Sequence, residues 1–313
     1  MDAVSELLAG VRARGAVFRR TVMRPPWALR MAGGAPLTVA TMVGGRAWIV
    51  PDGREPVAIG AGDIAVVRGE APYTVADDPA TPPSLTVTAA DYCPGAGGVE
   101  PAAGPARTCG EPAEGAAVLI SGAFESRGEL SERLLKALPP VLVVPAEGGP
   151  GPAVAMAAEE VARDRPGQQM VLDRLLDLML VSALRGWFDD PAADAPAWYR
   201  ALDDPVVGPA LRLLHDAPAR PWTVADLAAG AGVSRAALAR RFTALVGEPP
   251  MAYLAGWRVA LAADLLRETG HTVDAVARKV GYSNAFALSV AFKRIRGTRP
   301  SDHRGPAPAR RSE

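Results

Sequence analysis

Residues 221–250 read PWTVADLAAGAGVSRAALARRFTALVGEPP, and the order of capping, small and apolar residues in that stretch predicts two short helices meeting at a tight turn. Thr223 can cap the first helix, whose buried positions are Val224, Leu227 and Ala228. Gly232 supplies a turn where a side chain would clash, Val233 plugs the angle between the helices, and Ser234 caps the second. That second helix is expected to bury Leu238, Phe242 and Leu245. Its opposite face then carries Arg235, Ala236, Ala239, Arg240 and Thr243. A small residue, a glycine four positions on and a capping serine two later let two helices cross closely, which is the requirement of a helix-turn-helix.

The pattern occurs twice. At an offset of 49 residues, Val273, Ala277, Gly281, Tyr282 and Ser283 stand where Val224, Ala228, Gly232, Val233 and Ser234 stood. The helix that follows carries Leu288 and Phe292 inward, one residue later than that offset. Between the copies Met251 to Arg267, MAYLAGWRVALAADLLR, places Leu254, Trp257, Leu261 and Leu265 at helical spacing, so one continuous helix joins the two units. Such a rod lets both second helices enter successive major-groove segments on one face of a duplex, roughly 34 Å apart.

Charge points the same way. Residues 211–313 hold 16 Lys and Arg against 8 Asp and Glu, leaving 18 against 26 for residues 1–210. The net zero of the whole chain is therefore a basic half meeting an acidic half, and only the basic half is suited to a polyanion.

The first half reads differently. Val4, Leu7, Leu8 and Val11 suggest a short amphipathic helix over residues 3–14. From Leu37 on, Leu37–Val43, Ala47–Val50, Ile64–Val67, Ser84–Ala90, Ala116–Ile120 and Val141–Val144 are short β-prone runs broken by Gly, Pro and Asp. Pro51-Asp52-Gly53-Arg54 supplies one tight reversal. No helix separates these runs, so an antiparallel barrel or double sheet is expected rather than a parallel sheet. Within it Trp27, Trp48, Tyr73 and Phe124 are candidate pocket walls. All three histidines lie beyond residue 210, which removes imidazole-ligated metal chemistry from the first half. A nucleophile, histidine and acid set is missing there too, as is a glycine-rich phosphate cradle, so a barrel enzyme with a DNA-binding appendage is the weaker rival. A protein that merely coats DNA is the third reading.

Cys93 and Cys109 flank a segment rich in Gly, Pro and Ala. Three readings stay open: unpaired thiols, a redox pair, or a soft-metal site that borrows Asp91, Glu100 or Glu111. No cofactor is expected. Gly167 to Trp187, GQQMVLDRLLDLMLVSALRGW, predicts a helix apolar over most of its circumference, covered either inside the chain or by a second copy. The N-terminus has no signal-peptide pattern and no run reaches 18 apolar residues, which suggests a cytoplasmic protein with no membrane partner.

Two resemblances follow from these segments. Pro56 to Tyr73, PVAIGAGDIAVVRGEAPY, resembles the strand-turn-strand of a cupin, with Tyr73 where such domains often place a histidine. LAAGAGVSRAALARRF, GEPPMAYLAGWRVALAADLLRETG and VARKVGYSNAFALSVAFKRIRGTRP resemble the DNA-binding region of the AraC/XylS family over about residues 207–304. The resemblance implies a bacterial regulator of transcription, usually an activator, that binds double-stranded promoter DNA, meets RNA polymerase and answers to a small-molecule effector. It also implies a homodimer formed through residues 167–187. Matched by position, Arg235, Ala236, Ala239 and Arg240 face the groove from the first recognition helix, and Asn284, Ala285, Ser289 and Lys293 from the second. Arginine suits guanine and asparagine suits adenine, while Lys293, Arg294 and Arg296 suit phosphate. Val290 stands where the family often has Arg, so the second unit is expected to read bases weakly and to act mainly on the backbone. Pro300-Ser301-Asp302-His303-Arg304 replaces the family's Pro-x-x-Tyr-Arg, a change expected to preserve packing. The expected architecture is a cupin-like antiparallel β-barrel domain over 1–150, a helical linker over 151–206, an all-α domain with two helix-turn-helix motifs over 207–305 and a disordered tail over 306–313.

Overall fold

The computed structural model describes residues 11–12, 18–88, 108–109, 116–126, 135–146, 149–163, 165–190, 192–193, 195–268 and 270–303. The expected N-terminal helix and C-terminal tail lie almost wholly outside them, and Val11–Arg12 is a short strand. Most of the described residues fall in two compact units, one within Arg12–Ser126 and Leu138–Ala193 and the other from residue 195 to residue 303.

The first unit is built on two sheets. Its strands are β1 (Val11–Arg12), β2 (Phe18–Met23), β3 (Ala28–Met31), β4 (Leu37–Gly44), β5 (Ala47–Pro51), β6 (Val57–Ile59), β7 (Ile64–Arg68), β8 (Tyr73–Ala76), β9 (Leu85–Val87), β10 (Thr108–Cys109), β11 (Ala117–Ser126) and β12 (Val141–Val144). One sheet runs β10-β2-β11-β4-β7-β12, with β1 added on β11; the other runs β6-β5-β8-β3-β9. The expected closed antiparallel barrel is therefore not what forms. The sheets stay separate, and β2–β10 and β3–β9 pair in parallel. Closure needs a continuous ladder along both edges. Among the described residues the edges are β10, the three-residue β6 and β9, and β12, which offer few backbone groups to join.

Strand β4 shows how the sheets share a core. Successive side chains point to opposite faces, and nearly all of β4 is buried. Ala40 and Met42 join the cluster between the sheets with Trp27, Leu29, Ile49, Ile59, Val75 and Leu119. Leu37 and Val39 are equally buried on the other face, where helices α1 (Pro152–Val161) and α2 (Gln168–Asp189) approach the same strand. Helix α2 buries Leu172, Leu176, Met179, Leu180, Ala183 and Leu184 within this unit. It crosses β12 at Gly186, where an added Cβ would lie 2.8 Å from Val144 Cγ1.

The second unit is helical: α3 (Ala197–Arg200), a 3-10 turn at Ala201–Asp203, α4 (Val207–Asp216), α5 (Val224–Gly230), α6 (Arg235–Val246), α7 (Pro250–Glu268), α8 (Val273–Lys279), α9 (Ala285–Arg296) and a 3-10 turn at Pro300–His303. Helix α7 is the joining rod. Tyr253 and Leu254 enter one hydrophobic cluster with Leu211, Leu214, Leu227, Leu238 and Phe242. Val259, Ala262, Ala263 and Leu266 enter another with Val276, Leu288 and Phe292. Leu245, expected inside, is 39 % exposed on the last turn of α6.

Both turns rest on a glycine with positive φ, Gly232 at +67° and Gly281 at +88°. Their surroundings differ. A Cβ on Gly232 would meet nothing within 4 Å, whereas one on Gly281 would lie 2.6 Å from the Ala219 carbonyl oxygen. Gly232→Ala should cost only the left-handed backbone penalty, about 1–2 kcal/mol, and Gly281→Ala distinctly more. Urea unfolding of the two variants, compared with the parent chain, checks the order.

Candidate nucleic-acid interface

Each helix-turn-helix is assembled by local capping. In the first, Thr223 Oγ1 accepts from the Asp226 backbone N–H at 3.1 Å, while Asp226 Oδ2 accepts from the Thr223 N–H at 3.0 Å. This reciprocal box satisfies two of the donors that a helix start leaves unpaired. Ser234 Oγ accepts from the Ala237 N–H at 3.2 Å and opens α6. Gly247, at φ +91°, closes it.

In the second unit Thr272 Oγ1 accepts from the Ala275 N–H, keeping the offset of 49. The cap of α9, however, is Asn284, whose Oδ1 accepts from the Ala287 N–H at 2.9 Å. Ser283 therefore does not take the place of Ser234: it is an extra turn residue, and from there on the offset is 50. Leu238 pairs with Leu288, Phe242 with Phe292, and the closing glycines Gly247 and Gly297 correspond. The capping bond also occupies the Asn284 carbonyl oxygen, half of what a bidentate adenine contact would use. Asp274 Oδ1 accepts from the Ala285 N–H at 3.2 Å and ties α8 to the first turn of α9.

On the outer face of α6, Arg235, Ala236, Arg240 and Thr243 are exposed and Ala239 is half-buried. Arg235 and Arg240 make no ion pair or hydrogen bond with the other described residues. Their neighbour Arg241 is committed elsewhere. Its Nε and Nη2 donate to Asp204 Oδ2 at 2.9 and 2.6 Å. Asp204 Oδ1 accepts the backbone N–H groups of Val206 and Val207, both at 2.9 Å, at the start of α4. The Arg241 guanidinium first, and these N–H groups next, hold the Asp204 carboxyl down at about 2 against an ordinary 3.8. Arg240, about 100° around the helix from Arg241, stays exposed.

On α9, Lys293 and Arg294 are exposed, Ala285 and Ser289 are half-buried, and Ser289 Oγ donates to the Ala285 carbonyl at 2.7 Å. Arg296 is partly buried and already engaged within the chain. The outer face also holds two residues that sequence reasoning passed over as readers, Phe286 at 77 % exposure and Val290 at 54 %. The signal was present: neither lies at the spacing of Leu288 and Phe292, so neither belongs to the buried stripe.

In the two-sheet unit, Tyr73 lines a cavity of about 90 Å³, together with Met31, Thr38, Glu70, Val87 and Ser121. Burial pushes its hydroxyl up to about 12, opposed by a hydrogen bond with Thr38. Trp27 is buried in the inter-sheet core, Trp48 is partly buried, and Phe124 is 1 % exposed; none of the three lines this cavity. Cys109 is disulfide-bonded in β10, which removes the reading of it as an unpaired thiol. A disulfide sulfur also has no thiolate to give a metal. Cys93, the chain's other cysteine, and Asp91, Glu100 and Glu111 lie outside the described residues.

The sequence matches the cupin family over residues 2–189 and a helix-turn-helix domain family over residues 227–305. An AraC-like transcription regulator of Streptomyces lividans is 34% identical over 97% of this chain and 98% of its own length. The chain belongs to the AraC/XylS family of transcription regulators. An AraC-like regulator of Streptomyces antibioticus is 43% identical over 59% of this AraC/XylS chain and 63% of its own. The DNA-binding domain of AdpA, solved with a target DNA, shares 32% identity, covering 32% of this chain and 90% of that one with a TM-score of 0.31. This AraC/XylS member is a sequence-specific DNA-binding regulator, and its helix-turn-helix domain is the part that binds DNA. Its relatives regulate transcription, which sets the enzyme reading aside. No described helix is long and apolar enough to cross a membrane.

The two adjacent arginines of α6 should separate cleanly. Arg240→Ala should relax preference at one base position and weaken specific binding by about 1–3 kcal/mol. Arg241→Ala should leave base preference intact and lower stability instead. A carboxyl held below its ordinary value stabilises the fold above about pH 4 and loses that contribution as pH falls toward 2. Asp204→Asn should therefore flatten that part of the acid-unfolding profile, followed by circular dichroism.

Proposed function

We propose that this regulator binds promoter DNA with α6 and α9 in successive major-groove segments and responds to a small molecule held in the cavity between its two sheets. The observation that carries the effector reading is the cavity beside Tyr73. Its wall is apolar at Met31 and Val87 and offers hydrogen-bonding groups at Thr38, Tyr73 and Ser121. An enclosure of this kind suits a compact apolar molecule with one polar group. It is smaller than a drug-sized pocket of roughly 300 Å³ or more, so an effector of only a few heavy atoms fits without rearrangement.

Base reading by Arg235 and Arg240 rests on their freedom and exposure. Lys293 and Arg294 supply phosphate contacts that set register. Homodimerisation through residues 167–187 is supported by Met170, Val171 and Leu178, apolar side chains of α2 exposed by 73, 42 and 49 %. Membership of the family supports activation through contact with RNA polymerase.

A second reading has its own observation. The disulfide at Cys109 supports a thiol-responsive regulator, in which reduction frees β10 from a covalent tie and shifts the balance between DNA-binding states. Among the described residues its strand pairs with β2 at Thr108 and Cys109.

Footprinting on the chain's own and neighbouring promoters tests both readings. Protection that changes with one member of a metabolite panel, and is lost in sensitivity when Tyr73 is replaced by Phe, supports the effector reading. Protection that changes with dithiothreitol, and is insensitive in Cys109→Ser, supports the thiol reading. Absence of protection at modest salt overturns the regulator's proposed mode of binding.

A further inference from the structure

We propose that the second helix-turn-helix reads thymine, through contact of Phe286 and Val290 with the 5-methyl groups that line the major groove. The proposal rests on the reading of α6 and α9 as recognition helices and specifies what the second of them recognises.

The register derived from the caps carries the argument. With the offset of 50 that holds along the recognition helices, Phe286 stands where Ala236 stands in α6, and Val290 stands where Arg240 stands. The exposed position that presents a free guanidinium in the first unit thus presents an isopropyl group in the second. One turn before it, α9 adds a phenyl ring 77 % exposed, the most exposed large apolar side chain among the described residues. Residues 286 and 290 are i and i+4, so ring and isopropyl group lie side by side on one face. They sit in the first half of the helix, the part of a recognition helix that reaches base edges.

The chemistry of the surroundings selects the occupant. Helix α9, AFALSVAFKRIR, has no acidic residue, and Lys293 and Arg294 extend from the turn beyond Val290. A second copy of α9 would bring like charges together. A DNA duplex offers the opposite: phosphates at the rim for Lys293 and Arg294, and at the floor of the groove an apolar group found on only one base. Thymine alone presents a methyl there, so an apolar contact distinguishes it without a hydrogen bond. The Ser289 hydroxyl, between the two, spends its proton on the Ala285 carbonyl and leaves the patch with little to donate. Burial of one methyl is worth about three- to fivefold in affinity.

The test uses the full chain and a duplex obtained by selection from random sequence. Each thymine is replaced in turn by uracil, which removes the methyl and keeps every hydrogen-bonding group. Replacement at one or two positions in the segment bound by α9 should weaken binding about three- to tenfold. Phe286→Ala should lose the same factor on the parent duplex and be indifferent to uracil at those positions, and Phe286→Leu should recover part of it. Because the ring is exposed, these variants should keep the parent's unfolding midpoint.

Arg240→Ala serves as the separate control. If it relaxes a base position while no uracil replacement matters, thymine reading is overturned and the assignment of recognition helices stands. If Arg240→Ala and Phe286→Ala both bind as the parent does, that assignment itself fails. Weakening by Phe286→Ala that simply adds to the uracil effect, or a change in oligomeric state without a change in DNA binding, shows that the ring touches something other than the methyl.

Discussion

The DNA-binding unit depends on the burial of α7. A helix of this length spans about 28 Å, and each half is the centre of a different hydrophobic cluster. Tyr253 and Leu254 complete the first, and Val259, Ala262, Ala263 and Leu266 complete the second. The small residues matter as much as the large ones. Ala260, Ala262 and Ala263 are fully buried, and bulkier side chains there would hold α8 and α9 away from the rod. At its middle, Arg258 donates from Nε to the Pro218 carbonyl at 2.6 Å and from Nη2 to the Arg220 carbonyl at 2.7 Å. The loop entering the first helix-turn-helix is thus fastened to the same helix that carries the second. Neither α6 nor α9 can shift without disturbing a core, and the spacing of the two helices is a property of packing.

Polar contacts then set rotation. In the first cluster His215 Nε2 lies 2.7 Å from the Tyr253 hydroxyl, and the His215 and Trp257 rings are 4.5 Å apart. A net hydrogen bond contributes only about 1 kcal/mol, so the bond contributes more to which way α4 faces than to how strongly it adheres. The Asp204 pair with Arg241 does the same for α6. One arginine of the adjacent pair, Arg241, is held by Asp204, and the other, Arg240, stays exposed.

Much of this was readable from sequence where a single residue has a local job. Thr223, Ser234, Gly232 and Gly281 each act within a few residues, and their roles could be read directly. The strand at Val141–Val144 and the long helix after Gly167 also emerge at nearly the expected bounds. What failed depends on partners distant in sequence. Strands β2 and β3 carry Arg19, Arg20 and Arg30, which interrupt alternation, and they form because β11 and β8 supply ladders. Closure of the sheets is a property of edges, and edge length is fixed by where pairing stops. The extra residue Ser283 shifted the repeat by one and transferred the cap to Asn284. Leu245 was counted inside by spacing alone, but the last turn of α6 extends past the core it would have entered. Phe286 was missed for a related reason: an aromatic residue in a helix suggests core until the buried stripe is drawn through Leu288 and Phe292.

The two units differ at equivalent positions, and the difference bears on which half of a site each one can accept. Two identical readers would ask for the same bases in each half of the site, and the domain could not tell one half from the other. Here the equivalent positions hold Arg240 and Val290, and Ala236 and Phe286. If Arg240 meets guanine and the apolar pair meets thymine methyls, as proposed, exchanging the two half-sites would place a guanidinium against a methyl and a phenyl ring over guanine's polar edge. The first contact leaves a desolvated charge without its acceptors, and the second leaves acceptors without a donor. Each mismatch costs more than the matched contact contributes, because an unpaired buried polar group carries its full desolvation penalty. On that proposal, the order of the two half-sites is read at these two pairs of positions. The rigid spacing set by α7 is what makes both mismatches unavoidable at once.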